Sequence, residues 1–333
     1  MEQEYVKIRT TDPGGDTANI TALCRSITWS GDWRSCARTL QFSPVFSSVD
    51  KRIPRAPTEL GGSVQFWRDA TLLMDAYALE RSRDSLGTTI DVTAYDKGLY
   101  LKRNSTFLRA QQQTAEAVTA QVCGQFGIPV GQLAATGVPI TRNFLGVDLY
   151  KIIMTMYTLA SDQTGKQYRI RFRGKSLEVV ELAQNADTIL LETGKNLLSC
   201  VARESASAMT NSVAIYDDQF KLVNTVEDGE AVALYGLMQA AIRAEGTEDP
   251  AASAKQILKE QGLKTTITLR ALGNTKLITG STVAVREPVT GVDGLFWIVS
   301  DRHQWQRGVY TTQITVELEG LMDRQTAGSL PKK

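Results

Sequence analysis

One histidine, His303, stands in 333 residues. Its solitude excludes every metal site that needs two imidazoles and leaves one imidazole for general base work. Cysteine is almost as scarce. Cys24, Cys36, Cys123 and Cys200 lie far apart with no C-x-x-C pair, so neither a zinc ribbon nor a local dithiol motif can form. The most apolar stretches, Leu149 to Ala160 and Ala231 to Ile242, are interrupted and fall short of the ~20 residues that a membrane-spanning helix needs. Charge of one sign is missing too: 37 Lys and Arg against 36 Asp and Glu leave +1, which gives no global field to gather nucleic acid or anionic lipid. The start, Met1-Glu2-Gln3-Glu4-Tyr5, is acidic where a signal peptide is basic, and no apolar region follows it. The expectation is a chain folded in a reducing cytoplasm, without membrane or cofactor.

Recognised catalytic motifs are missing as well. Gly165-Lys166 looks like a phosphate-loop fragment, but Gln167 stands where Ser or Thr belongs and Ala160 where the first Gly belongs. No G-x-G-x-x-G, G-x-S-x-G or Asp-rich calcium loop occurs. His303 lies in the strand-like run Leu295 to Trp305 and is expected to be a hydrogen-bonded structural residue. No catalytic, cofactor-binding or metal-ligating residue is therefore assigned.

What the sequence does contain is alternation. Val6 and Ile8, Leu40 and Phe42, and Ile90, Val92 and Ala94 each alternate with polar residues, the period of half-buried antiparallel strands. Pro44, Pro54 and Pro57 with Lys51, Arg52 and Arg55 mark a basic surface loop. From Asp96 the period becomes 3.6. Thr114 caps a helix with Ala115, Val118, Val122, Cys123 and Phe126 on one face, and a second helix follows Asp148 with Leu149, Ile152, Ile153, Met156 and Leu159 on its apolar side. A hairpin follows, with Tyr168, Ile170 and Phe172 alternating with Arg169, Arg171 and Arg173, a turn at Arg173-Gly174-Lys175, and a return from Leu177 to Leu182. After Ser199 strands dominate to about Leu321, interrupted by one helix capped by Asp249 with a stripe of Ala254, Ile257 and Leu258. The fold class is α+β, mainly β, divided 1–95, 96–198 and 199–333, the last with one inserted helix.

Arg169, Arg171, Arg173 and Lys175 are the candidate partner-facing residues, since arginines two apart on a strand share a face. Glu178 and Glu181 on the return strand can neutralise part of it, so the reading is an exposed face, and an acidic protein surface suits it as well as phosphate. Two stretches also echo one another: Gly62-Ser63-Val64 through a long strand to Thr88–Val92, and Gly280-Ser281-Thr282-Val283 through a long strand to Thr311–Val316. The closing strands, Thr88 to Ala94 and Thr311 to Leu318, contain no Pro or Lys, so they lack two usual guards of a free sheet edge and are expected to pair with other chains in a closed oligomer.

The strings from Thr88 to Leu133 and from Gly294 to Leu318 resemble the baseplate hub proteins of contractile phage tails, of defective prophage particles and of R-type bacteriocins. Carrying the resemblance are Tyr95-Asp96 closing a strand, the helix opening at Thr114, Phe126-Gly127-Ile128, and the final aromatic strand with His303, the turn at Gly308 and the Thr-rich last strand. The resemblance implies a non-enzymatic structural hub. Its two tube-like antiparallel β-barrel domains would flank the small α+β domain, and a homotrimeric ring of three chains would imitate the sixfold tail tube. The implied partners are the tail tube protein and the central spike protein, with the tape measure and other baseplate proteins as neighbours. Such a hub assembles in the bacterial cytoplasm and is released in the particle, without sequence-specific contact to nucleic acid. No lytic domain is expected after the second barrel. The competing reading is a cell-wall-active enzyme or carbohydrate-binding module of the same particle.

Overall fold

In a computed structural model, residues 5–184, 187–244 and 249–331 are described, so the acidic start at Met1–Glu4 lies outside them. The chain forms two compact units, Met1–Ser199 with Leu269–Lys333, and Cys200–Thr268.

The first unit begins with β1 (Val6–Thr11), β2 (Thr17–Asn19), β3 (Cys24–Asp32), β4 (Thr39–Pro44), β5 (Ser63–Arg68), β6 (Thr71–Arg83) and β7 (Ile90–Asp96). Period two is the reason they are strands: along β7, Ile90, Val92 and Ala94 are buried while Asp91 is exposed and Thr93 half-buried. These inward residues meet Ile8, Phe42, Phe66 and Trp29 in one core. The loop after β4 is basic at its surface, but Ala56, Pro57 and Thr58 are tucked in.

A second layer follows: α1 (Gly98–Arg103), β8 (Ser105–Gln113), α2 (Ala115–Gln125), β9 (Val130–Leu133), β10 (Ile140–Asp148), α3 (Leu149–Thr164), β11 (Tyr168–Arg173) and β12 (Ser176–Glu181). Thr114 Oγ1 accepts from Ala117 N, so the expected N-cap forms, and Asp148 Oδ1 accepts from Lys151 N at 2.8 Å at the start of the second helix. Helix α3 buries 11 of its 16 residues, far more than one stripe. The chain's last described stretch accounts for part of this. Met322 joins the α3 core, Asp323 accepts from Tyr150 Oη at 2.6 Å, and Gln325 N donates to Thr158 Oγ1. Residues 321–327, expected with the C-terminal β domain, lie instead on the α+β layer, because an amphipathic helix with apolar residues on several sides needs cover that β8, β10 and α2 do not complete.

Strands β13 (Ile189–Glu192) and β14 (Leu197–Ser205) lead to the second unit, built of β15 (Ser212–Tyr216), β16 (Leu222–Glu227), α4 (Gly229–Tyr235), β17 (Gln239–Arg243) and α5 (Pro250–Glu260). Asp249 caps α5 by accepting from Ala252 N, and Ala254, Ile257 and Leu258 pack on Val213 and Ile215, as the stripe predicts. The segment read as one inserted helix is thus more: β15 pairs β16 antiparallel and β17 parallel, giving α5 a small sheet of its own to cover. The strand-rich expectation after Ser199 covers these strands, but the alternation of β16 is weak, Leu222 to Thr225 being exposed throughout, so its limits carry no mark in the sequence.

The chain re-enters the first unit along β18 (Lys264–Leu272) and closes with β19 (Thr282–Glu287), β20 (Val292–Gln306) and β21 (Val309–Glu317). The echo is real in topology. Short, long and medium strands form the antiparallel meander β5–β6–β7 and again β19–β20–β21. One strand serves both parts: the start of β20 pairs β19, its end pairs β3 with His303 opposite Trp29, and β21 runs along its other side. The two β parts are therefore one continuous sheet. The expectation of open edges is corrected here, since β7 lies between β4 and β6, and β21 between β20 and β18. Strands with neighbours on both sides need no guard.

Candidate functional site

At the junction of β3, β20 and the β11–β12 hairpin sits a buried polar cluster. Asp301 lies two residues before His303 on β20, so both side chains point to the same face. That face is the inner one: the Asp301 and His303 side chains are both 0% exposed. An isolated carboxylate there would cost several kcal/mol, and the surroundings supply its compensation. Arg38 meets it through both terminal nitrogens, Nη1 donating to Oδ1 at 3.0 Å and Nη2 to Oδ2. Thr279 donates to Oδ1 twice, from its backbone N at 2.7 Å and from Oγ1 at 2.6 Å. Burial pushes the Asp301 carboxyl up, but Arg38 and His303 outweigh burial and hold it well below the usual carboxylate range.

His303 faces Asp301 Oδ2 with Nε2 at 3.3 Å, while Nδ1 is 2.9 Å from Tyr310 Oη and 3.2 Å from Thr312 Oγ1. An ionised carboxylate only accepts, so the fitting tautomer carries its proton on Nε2 and accepts at Nδ1 from the hydroxyls. Trp29 and Tyr310 flank the ring, and Tyr310 stacks on Trp305 with centroids 4.2 Å apart. The imidazole holds a strand crossing together and meets no solvent. His303→Asn is expected to weaken folding by about 1–3 kcal/mol in denaturant titration, through lost bonds and lost ring packing, without removing any bond-breaking activity.

The candidate hairpin residues part company. Arg173 and Lys175 are exposed, as expected for a partner-facing edge. Arg171 is half-buried and pairs with Glu178 at 2.7 Å, the cross-strand neutralisation that the sequence allows. Arg169 departs from the exposed face altogether. It is half-buried and donates through Nη1 to the carbonyl oxygen of Thr279, the residue whose other groups hold Asp301. Burial, then the neighbouring charges of Arg171 and Arg38, pull its pKa down to about 10. The same-face rule was right about alternation; what it could not know is that the hairpin tip lies against β6, with Met74 bridging Gly174. Replacing Arg173 and Lys175 together by Glu is expected to leave thermal unfolding within about 0.5 kcal/mol of the native value, whereas Arg169→Glu should unfold the chain or lower its melting point sharply.

Two glycines make room for these guanidiniums. A Cβ on Gly31 would collide with Arg38, and one on Gly280, whose φ is +77°, would collide with Arg169. Sequence reading passed over Arg38, Thr279 and Asp301. One signal was available: Asp301 occupies an inward position in an otherwise apolar and aromatic strand pattern, where an acid needs a buried partner. Around the cluster lies a cavity of about 270 Å³, lined among others by Trp29, Arg38, Arg169, Arg171, Ile298 and Asp323.

Comparison with known proteins agrees with this architecture. The chain is 22% identical over 313 residues to the phage-like element PBSX protein XkdQ of Bacillus subtilis (strain 168), covering 90% of this chain and 94% of that relative. Among solved structures, the 43 kDa tail protein of prophage MuSo2 from Shewanella oneidensis shares the fold, with a TM-score of 0.70 at 14% identity over 94% of this chain and 98% of that one. An E. coli component of the type VI secretion system, described as structurally similar to the T4 bacteriophage tail proteins gp27 and gp5, has a TM-score of 0.55 at 12% identity over 98% of this chain and 79% of its own. The YqbQ-like family matches residues 27–317, which include both meanders and the buried cluster between them. The chain belongs to the YqbQ-like family.

Proposed function

We propose that this chain is a structural component of a phage-like tail baseplate and, within it, the hub: a ring of three copies joining the tail tube to the central spike. The observation that carries the reading is the repeated meander, β5–β6–β7 and β19–β20–β21, held in one sheet through β20. A protein with two like β parts offers six like parts in a trimer, which matches a sixfold tube on one side and a threefold spike on the other. In this reading the β parts that hold β1–β7 and β19–β21 supply the tube-like ring, and 96–198 supplies the α+β layer. The relative from a phage-like element and the fold shared with a prophage tail protein support the same assignment. Its work is assembly rather than catalysis, in a phage tail or an R-type bacteriocin. The test is the copy number and symmetry of the chain in the purified particle by electron cryomicroscopy. Three copies around the tail axis are expected; one copy, six copies or a place off the axis overturns the proposal.

A further inference from the structure

Four arginines line the cavity at the junction, Arg38, Arg169, Arg171 and Arg173, against two aspartates, Asp32 and Asp323. Two of the four are answered: Asp301 holds Arg38, and Glu178 holds Arg171. Arg173 has solvent. Arg169 has no such partner: it is half-buried on the cavity wall and forms no ion pair with any carboxylate among the described residues. Its one hydrogen-bond partner among the described residues is a neutral carbonyl oxygen, which occupies one of five N–H donors. Arg38 adds a second gap, because its Nε is buried with no hydrogen-bond partner. A half-buried guanidinium on a cavity wall with most of its donors unoccupied presents them to an anion that enters the cavity.

We propose that this cavity binds a small oxyanion, of the carboxylate or phosphate class, with Arg169 as its principal ligand. A planar fork of donors suits two oxygens at once, as a carboxylate or phosphate presents them. The volume of about 270 Å³ admits an ion with a small organic body, and Trp29 and Ile298 would line its apolar side. Gly31 and Gly280 have a further role in this light, since a side chain on either would displace a guanidinium from the cavity wall. A bound anion would join three parts of the first unit: the β3–β4 region through Arg38, the hairpin through Arg169, and the β20 region through Thr279.

The experiment is thermal unfolding of the full chain with inorganic phosphate, and separately with citrate, against sodium chloride at equal ionic strength. A ligand that binds only the folded chain raises its melting point in a saturable way, by roughly 4–8 °C at a hundredfold excess over its dissociation constant. A saturable rise with either anion that Arg169→Gln abolishes supports the proposal. An equal rise in that variant, a rise that chloride reproduces, or no rise with either anion overturns it. Should Arg169→Gln fail to fold, isothermal titration of the native chain with phosphate and citrate decides alone, and no heat of binding with either overturns the proposal.

Discussion

Replacing Asp301 by Ala is expected to lower the unfolding free energy by about 3–5 kcal/mol, a loss measurable by denaturant titration of the purified chain. The variant strands groups on three residues at once. Arg38 keeps its buried guanidinium without a carboxylate, the Thr279 backbone N and hydroxyl lose their acceptor, and His303 Nε2 loses the oxygen it faces. Asp301→Asn should cost less, because one carbonyl oxygen still accepts from Thr279. The loss also has a direction in pH. The folded carboxyl titrates below its ordinary value of 3.8, so its contribution is complete above that value and falls as pH drops through it, where the unfolded chain takes up the proton first. The gap in stability between the native chain and Asp301→Asn should therefore narrow as the solution is acidified below about pH 4.

Gly98→Ala is expected to destabilise by about 3 kcal/mol or more, at the corner where the β part turns into the α+β layer. Its Cβ would fall inside the contact distance of the Cys36 carbonyl oxygen and its carbon, both backbone atoms that cannot swing aside. The corner is tied on every side. Gly98 N donates to Asp96 Oδ1 at 2.9 Å, Arg38 N donates to Asp96 Oδ2, and Cys36 Sγ donates to the Gly98 carbonyl oxygen at 3.0 Å. Moving Cys36 to relieve the collision would drag Arg38 away from Asp301 two residues further on. The control is Gly124→Ala in α2, where nothing stands within 4 Å of the added methyl. That change should stabilise by about 0.5–1 kcal/mol through helix propensity. A gain at Gly98 comparable to that at Gly124 would mean that helix propensity, rather than the backbone contact, governs Gly98.

Period two along Ile90–Ala94, the caps at Thr114 and Asp249, the helix after Asp148, and the hairpin from Tyr168 to Glu181 were legible from residues alone. All are decided by chemistry within a few residues: which side chain alternates, and which oxygen reaches a free N–H. The repeated order from Gly62 and from Gly280 was legible for the same reason, since each copy carries its own turns and strands. Alternation, however, says only that two sets of side chains point to opposite faces. It does not say which face another part of the chain will cover. That is why Arg169 was read with Arg171 and Arg173 as exposed, although Thr279, 110 residues away, closes over it. Only tertiary pairing put β20 between β3 and β21, laid residues 321–327 on α3, and brought Arg38 to Asp301 across 263 positions of sequence. A buried ion pair depends on two charges whose separation in the chain carries no local mark, so the folded sheet alone determines which of the 73 charged residues meet inside it.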